Sequence, residues 1–393
     1  MGHRDRHVRR LARLGQCRSR PWAKGVGLLC LLLPLPGGIL SAQDGGLNPP
    51  SFIAFSNLLE EPGLIRYNRV EAISVGTRAT FGSHGWLGDL TVRLGSADRK
   101  PNASVVLRRR STFGELFVEA ALGLRGTQPF DAPLGFENSV GAVVTGRDLG
   151  EYLREQGGRV GLRAFDGSWS VAVRAVSEQP VTVEPQRVWS LFRHEGLNQP
   201  AGTGIERPLA NVNQTRRLLI EGILTQVWGR DPHRPSLRFG ANGFANANYG
   251  GVVVRSALKL PMRTGERRQA RPMFSLHIQN EVGAVSARAP AQDWRTVGGS
   301  WSVRGWEPGS LRGSRWVIGR AQANVDLVFT TVGAFFDAAV VGQAGQPFAP
   351  TRTRGSSIGV ELAFLDGAIR VELATRLGQP DGVQVEGGLA RPW

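Results

Sequence analysis

Apolar and polar residues alternate with a period of two along most of the chain. Within residues 315–327, the polar side chains of Arg320, Gln322 and Asn324 are separated by apolar or small ones. Successive side chains of a β-strand point to opposite faces, so this pattern predicts a strand with one polar and one apolar face. The pattern is already present at residues 73–94 and recurs to the C-terminus, which predicts an all-β protein.

Two hairpins are predicted where an Asp-Gly dipeptide separates alternating runs. Asp366-Gly367 lies between the runs 358–364 and 369–377, and Asp166-Gly167 lies within the run 157–176. This dipeptide fits a tight turn because both central residues can adopt a positive φ. Neighbouring strands at these sites are therefore expected to be antiparallel.

The polar faces carry too many charges for a dry core. Arg320, Glu361 and Arg370 fall on the polar faces of predicted strands, where they need water or ionic partners. A soluble sandwich also alternates, but it turns its polar face outward. A membrane barrel instead has apolar side chains facing lipid and a wet interior. We therefore predict a transmembrane antiparallel β-barrel of about 16 strands, allowing roughly 22 residues per strand and connection.

The last predicted strand carries a candidate assembly signal. It ends at Trp393, with Leu389 on its apolar face. A terminal aromatic residue after alternating apolar ones is typical of the signal that barrel-assembly machinery reads in outer-membrane proteins. Arg391 and Pro392 depart from that form, and since Pro donates no ladder hydrogen bond, the pairing is expected to end early.

The N-terminus has the parts of an export signal. Basic residues precede a short apolar stretch, and small residues follow it. We assign residues 1–42 to a signal peptide, 43–63 to a short periplasmic segment and 64–393 to the barrel. A retained signal anchor is the alternative, although Pro34 and Pro36 break the apolar stretch.

Cysteine content and net charge limit the cross-links and the binding partners that we expect for this chain. Cys17 and Cys30 both lie in the predicted signal, so no disulfide or thiolate site is expected in the exported part. The net charge is +16, but the first 42 residues hold eight Lys or Arg and one Asp, so seven of these charges leave with the signal. The others are spread among strands, which fits a charged interior or anionic lipid better than nucleic acid. We predict outer-membrane lipids as partners and no nucleic acid.

No catalytic or metal-binding pattern stands out. The histidines after the signal are isolated, with no pair at metal-ligand spacing. Residues 355–359 match Gly-x-Ser-x-Gly, but they enter an alternating strand, whereas a nucleophile elbow needs a strand-to-helix turn. We expect neither an enzyme nor a bound metal or cofactor; a hydrolase built on Ser and His is the alternative.

Four stretches rich in turn-forming residues interrupt the strands. We interpret them as the long extracellular loops that alternate with short turns in membrane barrels. They lie at residues 126–137, 179–214, 263–271 and 289–315. A receptor or adhesin acting through residues 179–214 is one alternative function.

The most specific pattern is Val303-Arg304-Gly305-Trp306 in the last of these loops. It resembles the Val-Arg-Gly-aromatic loop motif of the outer-membrane barrel superfamily, also described as bacterial surface antigens, that contains BamA, TamA and the two-partner-secretion transporters such as FhaC. The resemblance implies that this loop folds back into the barrel lumen.

Two strand motifs follow in the order of the same superfamily. Gly333, Phe335 and Asp337 resemble its Phe-x-Asp-x-Gly strand, and Ser357 and Gly359 resemble the Ser-x-Gly strand after it. The resemblance implies that five strands follow the loop, and the alternation also leaves room for five.

By resemblance, Arg304 pairs with Asp337 inside the barrel. The alternation agrees, because Val332 and Phe336 belong to an apolar outward face and leave Asp337 inward. A carboxylate there needs a cation, and a bidentate arginine is the best available.

The sequence also departs from the superfamily. Ala339 replaces the glycine usual after the aspartate, and Trp306 stands where Phe or Tyr is more common. We expect the chain to lack the periplasmic POTRA domains that collect client polypeptides, because few residues precede the first predicted strand.

The resemblance implies a role in inserting or translocating proteins or lipids at the bacterial outer membrane. Barrel-assembly machinery and periplasmic chaperones are the partners expected during biogenesis, with a periplasmic partner or a polypeptide client during function. The alternative is a channel or structural barrel that keeps the locked loop without client handling.

Overall fold

A computed structural model of the 393-residue chain describes residues 40–42, 51–56, 64–127, 134, 136–145, 148, 150, 152–181, 214–229, 234–262, 273–300, 302–307, 309–327, 330–342, 353–364, 369–378 and 383–389. Apart from the helix α1 (Phe136–Thr145) and a 3-10 turn at Ala291–Asp293, the regular structure in these residues is β-strand. In this part of the chain, no helix has the length and apolar character needed to cross a bilayer.

The main sheet contains eighteen of the described strands. Three short strands begin it: β1 (Leu40–Ala42), β2 (Ser51–Ser56) and β3 (Ile65–Asn68). Ten strands follow: β4 (Ala72–Ser83), β5 (Trp86–Gly95), β6 (Pro101–Ser111), β7 (Gly114–Gly126), β8 (Tyr152–Arg163), β9 (Trp169–Pro180), β10 (Thr215–Trp228), β11 (Ser236–Ala245), β12 (Gly250–Met262) and β13 (Met273–Val285). After a ribbon of β14 (Arg295–Val297) and β15 (Leu311–Gly313), the last five are β16 (Arg315–Asp326), β17 (Thr330–Gly342), β18 (Thr353–Phe364), β19 (Ile369–Arg376) and β20 (Val383–Leu389).

The long strands form a continuous antiparallel meander. From β4 to β13 each strand pairs with the next. The ladder then continues from β13 to β16 and on to β20. With β2 and β3 sharing one edge of β4 and β1 on the other side of β2, the described sheet has seventeen strand positions, close to the predicted number of about sixteen. The five strands after the loop motif are also confirmed.

The first strand position differs from the sequence prediction. β2 and β3 lie one after the other along the same edge of β4, and β1 pairs with β2. The segment 43–63, predicted to be periplasmic, therefore contributes β2 to the sheet, and the segment 1–42 contributes β1. β2 joins the sheet because its side chains alternate between the two faces, and Ile53 and Phe55 lie on the outward face, where they are 43% and 51% exposed.

The sheet has one apolar and one polar face. In β9, Val171 is 53% exposed whereas the adjacent Ala172 is 5% exposed. Apolar side chains cover the outer face of many strands, among them Ile73, Leu90, Val118, Val160, Ile220, Val252, Val282, Phe336 and Ile358. Charged and amide side chains point inward, as predicted, so the all-β barrel fold is confirmed.

Because successive strands are antiparallel, their connections lie alternately at the two ends of the sheet. Tight turns close β4–β5, β6–β7 and β8–β9 at one end, and the connection between β12 and β13 lies at that same end. The prediction that 263–271 is a long extracellular loop alongside the other three is therefore wrong, since an odd number of strands separates it from them. The predicted hairpin at Asp166-Gly167 is confirmed, but its turn differs from the prediction, because residues 164–168 connect the strands and only Gly167 of the pair has a positive φ, +72°. Asp366-Gly367 lies outside the described residues.

The opposite end carries the longer connections. The β7–β8 connection contains α1, which the turn-rich sequence did not predict, and the β9–β10 connection lies mostly outside the described residues. Helix α1 contacts both β3 and β20. The two edges of the meander therefore lie near each other, as a rolled sheet requires.

The interior is partly filled by residues 286–314, which we call the inner loop. It leaves the sheet after β13, carries β14 and β15, and returns at β16. Between this loop and the inward faces of β5 to β12 and β16 lies a cavity of about 630 Å³. Charged side chains on several strands line this cavity, including Glu119, Glu155, Arg159, Arg174 and Arg255.

Candidate functional site

The tip of the inner loop, residues 298–300 and 302–307, folds on itself. It lies against the inner face of the main sheet, which we call the wall. The N–H of Gly299 donates to the carbonyl of Trp306 at 2.6 Å, and the N–H of Gly298 donates to Oγ of Ser302 at 2.7 Å. Gly298 has φ +121°, and a Cβ there would lie 2.0 Å from the carbonyl oxygen of Glu307. Only glycine fits that position, so the sequence itself shapes the tip.

Arg304 lies at this tip, against Asp337 of β17. Its Nε and Nη2 donate to the two carboxylate oxygens at 2.7 and 2.8 Å. Its backbone N–H donates to the same carboxylate at 3.1 Å. The two side chains are 1% and 0% exposed. The structure thus brings together the two residues that the sequence paired, in a bidentate contact between opposite charges.

Three more strands contribute to the surroundings of the Arg304 guanidinium. Its Nη1 donates to Oε1 of Gln322 on β16 at 2.7 Å, and it lies 3.4 Å from Oε2 of Glu361 on β18. Glu372 on β19 lies 3.9 Å away. On β17, the ring of Phe335 lies under the guanidinium, with its centroid 3.5 Å from Cζ. One loop residue is therefore held by four adjacent strands.

The electrostatics of the site favour the charged arginine. Burial lowers the pKa of Arg304, but the hydrogen bonds and charge of Asp337, followed by Glu372 and Glu361, outweigh burial and hold the pKa above its ordinary value. Two inward cations offset the remaining negative charge. Nε of Arg320 lies 3.5 Å from Asp337, and Nη1 of Arg370 lies 3.8 Å from Glu361.

Gly305 and Trp306 hold the tip against the wall next to Arg304. Gly305 has φ +79°, and a Cβ added there would lie 2.8 Å from Cβ of Ala374 on β19. Nε1 of Trp306 donates to the carbonyl of Ser356 at 3.1 Å. Arg376 stacks over the Trp306 ring and donates from Nε to the carbonyl of Gly305 at 2.8 Å. Glycine is needed here because the backbone is left-handed and the wall is close.

Val303 is the apolar member of the loop motif. It is 0% exposed and belongs to a buried cluster that joins the loop to β16 and β17, with Val297, Leu311, Trp316, Ile318, Ala339 and Val341. Ala339, which departs from the superfamily motif, is 3% exposed in this cluster. Its methyl group thus packs where the loop covers the wall.

The predicted strand-motif residues line the same wall. Ser357 pairs in register with Asp337 and is 0% exposed. A Cβ on Gly359 would lie 2.5 Å from Cζ of Phe335, so this glycine leaves the space that the ring occupies. A Cβ on Gly333 would lie 2.4 Å from Oδ1 of Asn324. Small residues at these positions allow the aromatic ring and the polar network to pack under the loop.

The candidate assembly signal is only partly described. Leu389 is the last residue of β20 and pairs with Ile369 of β19. Trp393 lies outside the described residues. The role of these two residues stays a prediction.

The sequence interpretation missed several partners of Arg304. Gln322, Glu361 and Glu372 were visible as polar residues on inward faces, but nothing in the linear pattern connected them with the loop. One signal in the sequence could have identified two of them. Glu361 and Glu372 lie on consecutive strands at positions that the antiparallel register places opposite each other. Two acids on facing positions repel each other, so a buried cation between them was to be expected.

The arrangement can act as a mechanical lock. Its groups are an arginine, buried acids, an amide and packed aromatic rings, which hold a loop against a wall. Among the described residues, no group of three or more His, Cys, Asp or Glu side chains is placed to hold a metal ion. Removing the arginine from this network would leave buried acids without their central cation.

Comparison with known proteins identifies the fold. No protein-family model matches the sequence, and no curated protein matches it. Among solved structures, BamA from Haemophilus ducreyi lacking POTRA domains 1–3 is similar with a TM-score of 0.52 and 12% identity, over 90% of this chain and 74% of that chain. CdiB from Acinetobacter baumannii matches with a TM-score of 0.40 and 13% identity, over 80% of this chain and 56% of its own. The likeness to BamA confirms, at the level of the fold, the resemblance that the motifs predicted.

Proposed function

We propose that this chain is an outer-membrane barrel that aids the insertion or translocation of proteins or lipids at the bacterial outer membrane. An apolar outer face and an inward polar face suit a sheet surrounded by lipid. The BamA-like fold supports the same location. The proposal assigns the chain no catalytic role.

The contrast between a locked lumen and short edge strands carries the proposal. At the two ends of the meander, β3 and β20 have four and seven residues, whereas β17 has thirteen. Beside β3, the six-residue β2 is followed only by the three-residue β1 among the described strands. Among the described strands, no ladder joins β20 to β2 or β3. A short strand at a sheet edge holds its neighbour by few ladder hydrogen bonds, so a client segment can pair at this edge without entering the lumen.

The partners follow from this mode of action. Outer-membrane lipids contact the apolar face, and a polypeptide client or a periplasmic partner approaches the edges. Barrel-assembly machinery and periplasmic chaperones serve the chain during its own insertion. Arg304 and Asp337 keep the lumen closed while the edges separate.

Depletion of the protein in its native cell tests the proposal. We expect other outer-membrane proteins or lipids to decrease in the outer membrane, while uptake of small solutes stays unchanged until that loss is advanced. Re-expression of the wild-type chain restores the levels. Altered solute uptake with an unchanged outer-membrane composition would overturn the proposal.

A solute channel is the second candidate, favoured by the charged cavity. The cavity of about 630 Å³ is lined by arginines and glutamates from many strands, a wall suited to water and ions. Under this alternative, depletion lowers uptake of small charged solutes first. The same depletion experiment therefore separates the two functions.

A further inference from the structure

The inner loop is attached to the wall at a second place. Its 3-10 turn, Ala291–Asp293, lies against β9 and β10, whereas Arg304 lies against β16 to β19. Three strands, β11, β12 and β13, separate the two places along the sheet. The loop therefore extends across the interior from one part of the wall to another.

The second attachment is a buried polar cluster around Arg217 of β10. Nη1 of Arg217 lies 2.6 Å from Oδ2 of Asp293, and Arg217 also pairs with Glu178 of β9. Nε2 of Gln292 donates to Oε2 of Glu178 at 3.0 Å and to Oγ1 of Thr215 at 3.3 Å. The side chains of Glu178 and Arg217 are 1% and 6% exposed. Side chains of the loop thus form hydrogen bonds and an ion pair with side chains of the wall.

This attachment holds the part of the loop that borders the cavity. Gln292, Asp293, Trp294 and Arg295 all line the cavity described above. Nε of Arg295 also donates to Oε1 of Glu281 on β13 at 2.8 Å. If the turn detached from Arg217, the part of this boundary formed by Gln292 and Asp293 would be released from the wall.

The two attachments share no side chain. The Arg304 cluster uses Asp337, Gln322, Glu361 and Glu372, none of which contacts Arg217 through a described hydrogen bond or ion pair. Within the loop, Nη2 of Arg312 donates to the carbonyl of Ala291 at 2.6 Å and links its two ends. Because the two attachments use different wall residues, each can be removed by its own substitution.

We propose that Glu178, Arg217 and Asp293 form a second latch, which holds the first half of the inner loop and limits the conducting path through the interior. Arg304 and Asp337 hold the second half. The latch is a positioning device, and it acts whichever client or solute the barrel handles.

Single-channel conductance in planar lipid bilayers tests the latch. The full chain is purified as wild type and as Arg217→Ala, with Arg216→Ala as the matched control on the same strand. Arg216 is exposed and belongs to the opposite face, so its loss does not touch the loop. We expect a severalfold higher conductance for Arg217→Ala and an unchanged value for Arg216→Ala.

A second variant keeps the test decisive if Arg217→Ala fails to fold. Asp293→Asn retains the Glu178–Arg217 pair on the wall and removes only the charge from the loop, so folding is preserved and a smaller rise in conductance is expected. Combined with Arg304→Ala, it should conduct more than either single variant. Wild-type conductance of Asp293→Asn alone, together with no increase over Arg304→Ala in the combination, would overturn the latch, whereas the proposed client role is judged separately by depletion.

Discussion

The guanidinium of Arg304 contacts side chains from several strands at once. It donates to Asp337 and Gln322, and it lies within ion-pair distance of Glu361 and Glu372. Replacing a buried ion pair by apolar groups can leave the stability unchanged, but removing one partner leaves the other charges buried without a counter-ion. The lock therefore depends on a complete set of partners, and its arginine is the member with the most contacts.

Arg304→Ala is expected to destabilise the folded barrel by about 3–5 kcal/mol, because Asp337 loses its bidentate cation in a buried site. The measurement is the temperature at which the folded band converts to the unfolded one on detergent gels. Arg304→Lys keeps the charge but not the fork of donors, so an intermediate temperature is expected. Arg315→Ala, an exposed arginine on β16, is the control. An unchanged conversion temperature for Arg304→Ala would contradict the lock.

Gly305→Ala tests the close approach of the loop tip to β19. A positive φ costs a non-glycine residue roughly 1–3 kcal/mol, and the added Cβ would also meet Ala374 at 2.8 Å. Gly167→Ala is the matched control, since Gly167 has φ +72° but nothing within 4 Å of the added Cβ. We expect a larger loss of stability to urea for Gly305→Ala. Equal losses would show that crowding at Ala374 is unimportant.

At the scale of elements, α1 connects the two edges of the sheet. Asp148, just after this helix, accepts hydrogen bonds from the N–H of Arg69 at 2.6 Å and from the hydroxyl of Tyr152 at 2.7 Å. Oγ of Ser139 in α1 accepts from the N–H of Tyr67 in β3 at 3.0 Å. The helix and the residue after it are thus hydrogen-bonded to backbone N–H groups of β3 and of the turn that follows it.

Asp148→Ala is expected to loosen α1 and to cost about 1–3 kcal/mol, because several buried donors lose their acceptor. Hydrogen exchange should become faster at Tyr67 and Arg69. Asp166→Ala is the control, since this aspartate caps a turn at the other end of the sheet, where its Oδ1 accepts from the N–H of Ser168. Unchanged exchange in β3 would show that the helix does not protect the edge.

At the scale of the whole molecule, the wall and the inner loop are separable parts. Ala284 of β13 pairs directly with Arg315 of β16, and the N–H of Val285 donates to the carbonyl of Ser314 at 2.7 Å. The two strands therefore meet without help from the residues between them. The ladder of the wall is thus continuous from β13 to β16.

Replacing residues 286–313 by Asn-Gly is expected to leave a folded barrel with an open lumen, because a tight turn can join the paired ends of β13 and β16. The readouts are strand content by circular dichroism and conductance in planar bilayers. We expect unchanged strand content and a larger conductance than that of Arg217→Ala or Asp293→Asn. Loss of strand content would show that the wall folds only around the loop.

The sequence determined the wall and one contact of the site. Alternation is a local property of a strand, so faces, strand number and the Asp166-Gly167 turn could be predicted from adjacent residues. The pairing of Arg304 with Asp337 was predicted from a motif resemblance and a face assignment. Short or turn-rich segments were harder to predict. β2 has only six residues, and α1 is stabilised by packing against strands and not by its own sequence.

Only the tertiary structure decided which distant residues share the interior. Gln292 and Glu178 are 114 positions apart, and Arg304 and Glu361 are 57 apart. Their meeting depends on register, on the curvature of the sheet and on the path of the inner loop through it. These are properties of the whole ladder, since each strand's position is set by all the pairings before it, and no local pattern of side chains encodes them.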